Sequence, residues 1–479
     1  MRIKLRHFIL GLLLMLFGGS AAIGQSIMRK NPYLIYPGKD STMTVLWQLK
    51  QTALSRIEWG TDTTYSLGNG QTTEYGNDHQ HKFTLTKLQP SAKYYYRVIV
   101  NRDTAKGSFR AAPGPNATQI KFFAYGDTRT YPAEHDKVAK KILSVYRDDP
   151  DFQTMIIASG DYTSNGAYES DWDGQFFNPS YKNIQALLAT LPYQGCIGNH
   201  EGSGVLYKKY FPYPYVSRRY WSFDYGPAHF TVIDQYTSYS TGSAQYNWIE
   251  KDLASTKKLW KFLVFHEPGW SADGGHANNG SVQRYLQPLC EKYGVSIVFN
   301  GHNHYYSRAI VNGVVHITTG GGGAPLYTPN KNYPHIVTVA KAHHFCKIEI
   351  NDKLLTFAAV TTQGTVIDTF ALNAPTHVDD SRGEVIPQKF KLYPAFPNPF
   401  NPGTNISFSM TNASEITLNI YNINGEAVRT LINGKMAPGF HRFSWNGING
   451  SGKAVPSGIY IYRLKTKTYT GAGKMILVR

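Results

Sequence analysis

The sequence contains little cysteine, with only Cys196, Cys290 and Cys346 among 479 residues. An odd and small number of cysteines argues against a disulfide framework as the basis of the fold. Cys196 follows an apolar strand pattern and Cys290 lies on the apolar face of a helix pattern, which is typical of small buried side chains. Hydrophobic cores must therefore stabilise the chain, and its length predicts two to four domains.

Long apolar runs are lacking after the first residues. Residues 1–24 combine a basic start, the apolar stretch FILGLLLMLF and small residues around Ala22 and Gly24, which predicts a signal peptide for export. A retained signal anchor is the alternative, although the stretch is short for a membrane span. No later segment reaches the required length, so we expect no transmembrane segment in the mature chain.

The chain also lacks a long Lys/Arg tract, although it is basic. Three of the 49 basic residues lie within residues 1–24, which leaves 46 basic against 32 acidic residues, or about +14. Such a surface favours anionic partners, for example phosphorylated solutes, polysaccharide or an envelope surface. The scattered basic residues give no reason to expect nucleic acid as a dedicated partner. A generic basic exported protein is the plain alternative.

Regions of different patterning follow one another along the chain. Residues 26–112 contain short alternating strands between polar turns, which predicts a β-sandwich. Residues 117–373 alternate apolar strands with helical stretches, which predicts an α/β domain with a largely buried sheet. The helix candidates are 133–148, 183–191, 243–256 and 281–293. A polar linker is expected at 374–388, and residues 390–479 predict a second small β-sandwich.

Polar residues follow five successive strands of the middle region. The segments GDTRT, GDYTSNG, GNHE, HEP and GHNH come after IKFFAY, TMIIAS, YQGCI, KFLVF and VSIVFN. Ligand sites of α/β proteins gather at the carboxyl ends of strands, so these residues converge if the strands are neighbours. The candidate site residues are Asp127, Arg129, Asp161, Asn199, His200, His266, His302 and His304.

These residue types predict a metal centre. Carboxylate and imidazole groups are ligands for Mn, Fe and Zn, and the set exceeds the needs of one tetrahedral ion. Two ions about 3.5–4 Å apart can clamp a phosphoryl group and activate a bridging water for in-line attack. Asp161 is the natural bridge, and His302 and His304 can serve different ions. Polar turns with incidental histidines are the plain alternative.

The order GD…GD…GNHE…H…GHNH resembles the calcineurin-like metallophosphoesterases across about 115–373. The sandwich before it resembles the N-terminal, fibronectin III-like domain of purple acid phosphatases. The resemblance implies an α/β (α+β) metallophosphoesterase sandwich flanked by two all-β immunoglobulin-like sandwiches, with two Fe, Mn or Zn ions. The roles that it implies are first-metal ligands for Asp127 and His304, a bridge for Asp161, second-metal ligands for Asn199, His266 and His302, and leaving-group orientation or protonation for His200.

Two departures from the family pattern affect the first metal position. Most of the wider family has a His two positions after the first Asp, where this chain has Arg129. The purple enzymes have a Tyr three positions after the bridging Asp, where this chain has Ser164, with Tyr162 nearer. We therefore expect no purple colour and a weaker first site. Arg129 either holds a phosphate oxygen through its fork of donors or forms a structural ion pair.

Other residues near the motifs have open roles. Glu201 and Glu267 either support a metal-binding histidine or are surface acids. His276, in a glycine-containing loop, either covers the site or has no role. The segment TTGGGGAPLY lacks the Lys-Ser/Thr of a nucleotide-binding loop and is expected to be a turn close to the site.

Residues 390–479 resemble the C-terminal sorting domain of substrates of the type IX secretion system, from YPAFPNPFNPGTNISFSM to the terminal KMILVR. The resemblance implies passage across the outer membrane by the type IX secretion machinery, in bacteria of the Bacteroidota type or their relatives, and a secreted or outer-surface location. A plain β-sandwich that binds another molecule is the alternative.

The sequence as a whole predicts a secreted or surface hydrolase of phosphate esters, with a phosphomonoesterase favoured. A phosphodiesterase or nucleotidase is the nearest alternative, since the motifs do not separate them. A surface binding protein whose phosphatase domain has decayed is the alternative from another class, because Arg129 departs from the family pattern.

Overall fold

The computed structural model describes residues 26–374 apart from Asn77, and residues 390–478 apart from eight positions. Those eight are Tyr393, Pro394, Phe396, Pro397, Thr411, Asn412, Ala437 and Pro438. The predicted signal peptide and all but the first residue of the predicted linker lie outside the described residues. In the part of the chain that the structure describes, no helix is long and apolar enough to cross a membrane.

The N-terminal region is all-β, as the alternating pattern predicts. Its strands are β1 (Met28–Ile35), β2 (Met43–Leu49), β3 (Ser55–Gly60), β4 (Gly68–Thr72), β5 (Gln80–Leu85), β6 (Lys93–Val100) and β7 (Asp103–Arg110). They form two antiparallel sheets with the orders β1-β2-β5 and β4-β3-β6-β7. Trp47 and Val98 lie fully buried between these sheets, in a core of apolar side chains.

The central region contains two mixed sheets. Its strands are β8 (Gln119–Tyr125), β9 (Ile156–Ala158), β10 (Tyr193–Gly195), β11 (Trp221–Tyr225), β12 (Ala228–Val232), β13 (Trp260–Val264), β14 (Ile297–Asn300), β15 (Tyr306–Val311), β16 (Val314–Thr319), β17 (Ile336–Ala340), β18 (His344–Asn351), β19 (Leu354–Thr361) and β20 (Val366–Asn373). The sheet orders are β10-β9-β8-β18-β19-β20 and β11-β12-β13-β14-β16-β15-β17.

The strand–helix pattern suggests a single largely buried sheet, but the motif-bearing strands are divided between two sheets, as the resemblance to a metallophosphoesterase sandwich implies. Strands β8, β9 and β10 are parallel neighbours in one sheet, and β13 and β14 are parallel neighbours in the other. Phe122 of β8 packs at ring-centroid distances of 5.4–6.4 Å against Phe230, Phe262 and Phe299 of the second sheet. An apolar strand is buried on both faces in either arrangement, so its sequence does not reveal how many sheets there are.

Helices lie around the two central sheets. They are α1 (Pro132–Asp148), α2 (Glu169–Asp171), α3 (Lys182–Leu188), α4 (Val205–Tyr210), α5 (Ala244–Ser255) and α6 (Gln287–Tyr293). The predicted helix at 281–293 begins as a π-helical turn, Val282–Leu286, before α6. Helix α4 is absent from the prediction, since six residues are too few to show a helical period.

The N-terminal region is tied to a segment that borders the motifs. The fully buried ammonium of Lys30 donates to Asp173 Oδ1 at 2.6 Å and lies 3.3 Å from Glu169 Oε2. The side chain of Arg29 also donates to Asp173, at 2.8 Å. These ion pairs hold α2 and the following turn against strand β1.

The C-terminal region is again all-β and has a core of its own. Its strands are β21 (Phe390–Leu392), β22 (Thr404–Met410), β23 (Ser414–Asn422), β24 (Ala427–Met436), β25 (Gly439–Trp445), β26 (Gly458–Lys465) and β27 (Thr470–Leu477). The sheet orders are β21-β22-β25 and β24-β23-β26-β27. Trp445 and Leu464 lie buried in its core.

Candidate metal centre

Tight turns at the strand ends bring the candidate residues together. Asp127 after β8, Asp161 after β9 and His302 after β14 have φ values of 57°, 57° and 68°. Positive φ is uncommon for residues with side chains, and such backbone strain clusters at functional sites. The chain therefore holds these three residues in turns that aim their side chains at one place.

Two glycines permit the close approach of these turns. A Cβ atom on Gly198 would lie 2.1 Å from Asp161 Oδ1, and a Cβ atom on Gly301 would lie 2.2 Å from Asp127 Oδ2. Any other residue would collide with a carboxylate of the site. The glycines that precede Asn199 and His302 are therefore required by space, not only by turn conformation.

Asp127, Asp161 and His304 form a first set of donors. Their ligand atoms all lie within 4.8 Å of one another, and the three side chains are buried. The Nδ1–H of His304 donates to the carbonyl of Pro325 at 2.7 Å, which leaves Nε2 facing the carboxylates. Metal-binding histidines characteristically donate their other ring nitrogen to a carbonyl or carboxylate in this way.

Asn199, His266 and His302 form a second set on another side of the site, with His266 beside Asp161. Asn199 Oδ1 lies 3.0 Å from His266 Nε2 and 3.0 Å from His302 Nδ1. His266 Nε2 lies 3.3 Å from Asp161 Oδ1, and His266 Nδ1 donates to the carbonyl of Ser159 at 2.7 Å. The structure thus brings together all six residues expected to bind metal, with Asp161 between the two sets.

The donor sets fit metal ions. Burial, together with the neighbouring Asp161, raises the pKa of Asp127 to about 8. Burial lowers the pKa of His302 to about 2 and that of His304 to about 3, so both rings are neutral, as metal binding requires. Burial opposes the charged form of His266, but Asp161 outweighs it and raises the pKa to about 10. Buried carboxylates beside neutral imidazole nitrogens are groups that a bound cation stabilises.

Arg129 lies on the side of the first set. Its Nε lies 3.3 Å from Asp161 Oδ2, and its Nη2 lies 3.2 Å from His304 Nε2. Only 12% of its side chain is exposed. The predicted structural ion pair is therefore present, and its partner is the bridging carboxylate itself.

Neither Tyr162 nor Ser164 contributes to the first set. Tyr162 is buried and packs against Trp172 and Phe211, with ring centroids 5.9 and 5.0 Å away. The Ser164 hydroxyl instead hydrogen-bonds with Thr130 Oγ1 and Gln175 Oε1, each at 3.1 Å. No phenol therefore reaches the first set from this loop.

His200 stands beside the sets without joining them. Its backbone N–H donates to Asp161 Oδ1 at 3.1 Å, and its Nδ1 donates to the carbonyl of Ser164 at 2.6 Å. Its Nε2 lies 3.8 Å from Asp161 Oδ2, and 28% of the side chain is exposed. The ring is thus fixed at Nδ1, while Nε2 lies next to the bridging carboxylate.

Glu201 supports the backbone of the site. It is fully buried, and its carboxylate accepts from the N–H groups of Asp161, Tyr162 and Gly198 at 3.0, 2.8 and 2.8 Å. It therefore joins the turn after β9 to the turn after β10, instead of contacting a histidine. Glu267 accepts from Asn279 at 2.8 Å and lies farther out.

A loop that carries His276 covers the second set. The His276 ring stacks on His302 with centroids 4.0 Å apart. Asn303 fixes this loop, because its Oδ1 accepts from His276 N at 2.6 Å and its Nδ2 donates to the His276 carbonyl at 3.0 Å. Tyr327, in the glycine-rich turn that was expected near the site, stacks on His304 at 4.2 Å.

Comparison with known families agrees with this geometry. Residues 120–306 match the family Calcineurin-like phosphoesterase, and residues 30–111 match the family Purple acid Phosphatase, N-terminal domain. Residues 398–470 match the family FlgD Ig-like domain.

The proteins that this chain is similar to include plant and animal phosphatases. It is 28% identical to Purple acid phosphatase 21 of Arabidopsis thaliana, over 52% of this chain and 59% of the relative. It is 26% identical to Acid phosphatase type 7 of Mus musculus, over 66% of this chain and 84% of the relative. It spans 69% and 63% of two further Arabidopsis purple acid phosphatases. These similarities support a hydrolase acting on phosphoric esters.

Solved structures show the same fold. The purple acid phosphatase PPD1 from yellow lupin seeds gives a TM-score of 0.60 at 23% identity, covering 71% of this chain and 74% of that chain. PhoD gives a TM-score of 0.56 at 14% identity, covering 73% and 91%. The central region and the N-terminal sandwich therefore have a purple acid phosphatase-like metallophosphoesterase fold.

Proposed function

We propose that the protein is a metal-dependent phosphomonoesterase with a two-metal centre that acts outside the cytoplasm. The observation that carries the proposal is the meeting of two donor sets at Asp161. Metal ions bound there would polarise a phosphoryl group and activate water for attack on phosphorus. The similarity to purple acid phosphatases supports this reaction class.

We assign to His200 the protonation of the leaving-group oxygen. Because Nδ1 donates to the carbonyl of Ser164, Nε2 is the nitrogen free to donate a proton to the departing oxygen. Its position beside Asp161 Oδ2 places that nitrogen at the edge of the donor sets. A histidine used in this way typically contributes 10²–10⁴-fold to the rate.

Arg129 and the His276 loop shape the rest of the pocket. The planar guanidinium of Arg129 suits a phosphoryl oxygen and places positive charge beside the first set. The loop that Asn303 holds over His302 covers the second set and limits access of bulk water. Charge developing on phosphorus is then stabilised by groups that are already in place.

Monoester hydrolysis is preferred to diester hydrolysis because residues 30–111 match the purple acid phosphatase N-terminal domain. The test compares p-nitrophenyl phosphate with bis(p-nitrophenyl) phosphate after Mn, Fe or Zn is restored to the protein. We expect a higher kcat/KM for the monoester. A higher kcat/KM for the diester would favour the phosphodiesterase or nucleotidase alternative.

A binding protein with a decayed phosphatase domain is the second candidate. Arg129 favours it, since this residue pairs with the bridging carboxylate, and one relative at 28% identity is named a probable inactive purple acid phosphatase. Measured metal content and turnover separate the two candidates. If the protein bound no metal and showed no turnover with any added ion, the binding protein would be the remaining candidate.

Export through the signal peptide and the type IX machinery is part of the proposal. It is supported by the apolar stretch within residues 1–24 and by the sorting-domain resemblance of residues 390–479. The test expresses the full chain, with and without residues 390–479, in a bacterium that has this secretion system. We expect the full chain on the surface or in the medium, and the shortened chain in the periplasm. Equal amounts of the full and shortened chains at the surface would contradict the sorting role of residues 390–479.

A further inference from the structure

The two donor sets are unequal in protein ligands. The second set has three ligands of its own, Asn199, His266 and His302, in addition to an oxygen of Asp161. The first set has Asp127 and His304 in addition to an oxygen of Asp161. One set therefore offers four protein ligands and the other offers three.

The first set has the cationic side chain of Arg129 where the family pattern has a further ligand. The metallophosphoesterase pattern places His at the position of Arg129, and the purple enzymes place Tyr at the position of Ser164. Here the guanidinium lies 3.3 Å from Asp161 Oδ2 and 3.2 Å from His304 Nε2. The Ser164 hydroxyl is committed to hydrogen bonds with Thr130 and Gln175. Neither position can supply the absent ligand.

Arg129 opposes a metal ion at the first set in two ways. Its positive charge repels a divalent cation at close range in a pocket of low exposure, where screening by water is weak. Its Nη2–H also engages the Nε2 lone pair of His304, which an ion would need. The guanidinium is held in place by a further hydrogen bond from Nη1 to Thr130 Oγ1 at 3.0 Å.

Among the described residues, no Lys or Arg side chain forms an ion pair or hydrogen bond with Asn199, His266 or His302. The Nε2 atom of His266 and the Nδ1 atom of His302 face the same oxygen of Asn199, and both rings are fixed by other contacts. The two sets share Asp161, and the backbone N–H of His302 donates to Asp127 Oδ1 and Oδ2 at 3.0 and 3.1 Å, but their remaining ligands differ, so their affinities can differ. An ion at the second set would share the carboxylate of Asp161 with Arg129.

We infer that the second set retains one metal ion tightly, and that the first set binds its ion at least about tenfold more weakly because Arg129 replaces a ligand. This inference rests on the proposed metal-dependent function. When the first set is empty, Arg129 supplies the positive charge on that side of the bridging carboxylate. The protein thus works with one resident ion and one exchangeable ion.

The test is a titration of the chelator-treated full chain with Mn²⁺ alone, followed by calorimetry and electron paramagnetic resonance. We expect one tight equivalent with the spectrum of an isolated ion, and a second equivalent that binds at least about tenfold more weakly. Arg129→His should tighten the second equivalent by about tenfold or more and give the spectrum of a coupled ion pair. Arg129→Lys, which keeps the charge and adds no ligand, is the matched control. It should neither tighten the second equivalent nor give the spectrum of a coupled ion pair.

A pair of ligand variants assigns each equivalent to its set. Asp127→Asn should remove the weak equivalent and leave the tight one, whereas Asn199→Ala should weaken the tight one. These variants also keep the inference testable if Arg129→His fails to fold. Two equally tight equivalents in the wild type, or loss of the tight equivalent in Asp127→Asn, would overturn the inference.

Hydrolysis is measured separately on the same samples. One tight and one weak equivalent without hydrolysis of any phosphate ester would refute the proposed function and leave the inference in place. Hydrolysis with two equally tight equivalents would refute the inference and leave the proposed function in place.

Discussion

The Nε2 atom of His266 lies 3.0 Å from the side-chain oxygen of Asn199, and no hydrogen lies between them when the ring is neutral. The ring proton is on Nδ1, which donates to the carbonyl of Ser159. Two acceptors at this distance repel each other unless a cation or a proton joins them. The pair therefore requires positive charge at this place, supplied either by the second ring proton that the raised pKa of His266, about 10, indicates or by a bound cation.

Asn199→Ala should remove metal and activity together. The substitution deletes the oxygen that both His266 and His302 face. We expect about a tenfold or greater loss of metal affinity and a loss of turnover of at least about 100-fold. Metal content and hydrolysis are measured on one sample. Asn332→Ala, at an exposed position, is the control, and an unchanged metal content in Asn199→Ala would contradict the assignment.

His200→Gln should lower kcat and leave the metal content unchanged. His200 hydrogen-bonds with Asp161 through its backbone N–H, and its ring Nε2 lies 3.8 Å from Asp161 Oδ2, so loss of the ring removes no expected metal ligand. We expect a loss of about 10²–10⁴-fold for alkyl phosphates, whose leaving groups need a proton, and a smaller loss for p-nitrophenyl phosphate. Equal losses for both substrates would exclude proton donation by His200.

Glu201→Gln should destabilise the protein and lower its metal affinity. The carboxylate accepts from three backbone N–H groups, and the amide would turn a donor toward at least one of them. We expect a loss of about 1–3 kcal/mol in the free energy of unfolding. Urea denaturation measures it. Glu267→Gln, which alters one contact to Asn279, should change stability much less.

Asn303→Ala should raise KM more than it lowers kcat. The Asn303 side chain hydrogen-bonds with the backbone N–H and the carbonyl of His276, and it also donates to Ser271 Oγ at 2.8 Å. Loss of these bonds frees the loop over His302 without removing a metal ligand. Steady-state kinetics test the KM change, and metal content serves as the internal control. An unchanged KM would show that the loop does not contact the substrate.

His229 should make stability depend on pH away from the metal centre. Its ring nitrogens lie 2.7 Å from Asp224 Oδ1 and 2.9 Å from Asp252 Oδ2. Burial opposes the charged form, but the two carboxylates outweigh it and raise the pKa to about 9, with Lys258 4.0 Å from Asp224. Since the folded pKa exceeds the unfolded value of about 6.5, the stabilisation is full below pH 6.5 and is lost as the pH rises through 9.

The measurement for His229 is thermal unfolding of the wild type and His229→Gln between pH 6 and 9.5. We expect the wild type to be more stable by roughly 1–2 kcal/mol at pH 6, with the difference shrinking toward pH 9.5. His316→Gln is the control, because burial lowers the pKa of His316 to about 3 and that ring does not titrate in this window. A constant difference for His229→Gln would contradict the ion-pair account.

The sequence predicts which donor residues meet better than it predicts the arrangement of sheets that brings them together. Asp127, Asp161 and His302 each follow a strand and a glycine, so the pattern identifies them before any contact is known. The sequence does not show that β8 and β14 belong to two different sheets, because both strands are apolar on both faces. The general rule that polar groups gather at strand ends holds for either arrangement.

Supporting residues are harder to predict than ligands. Glu201 lies within the motif GNHE, yet its role depends on three backbone N–H groups from two turns, which no spacing reveals. His276 lies 26 residues before His302 in the chain and stacks on it only because Asn303 fixes the intervening loop. Long-range backbone and loop contacts of this kind leave no local signal in the sequence.

Removal and restoration of metal tests the central claim most directly. The full chain is treated with chelator, and its metal content and its hydrolysis of p-nitrophenyl phosphate are measured before and after Mn, Fe or Zn is added. We predict that hydrolysis disappears with the metal, returns on addition of at least one of these ions, and fails to return in Asp161→Asn. Full hydrolysis by metal-free protein, or a chain that binds no ion at Asp161, would contradict the account.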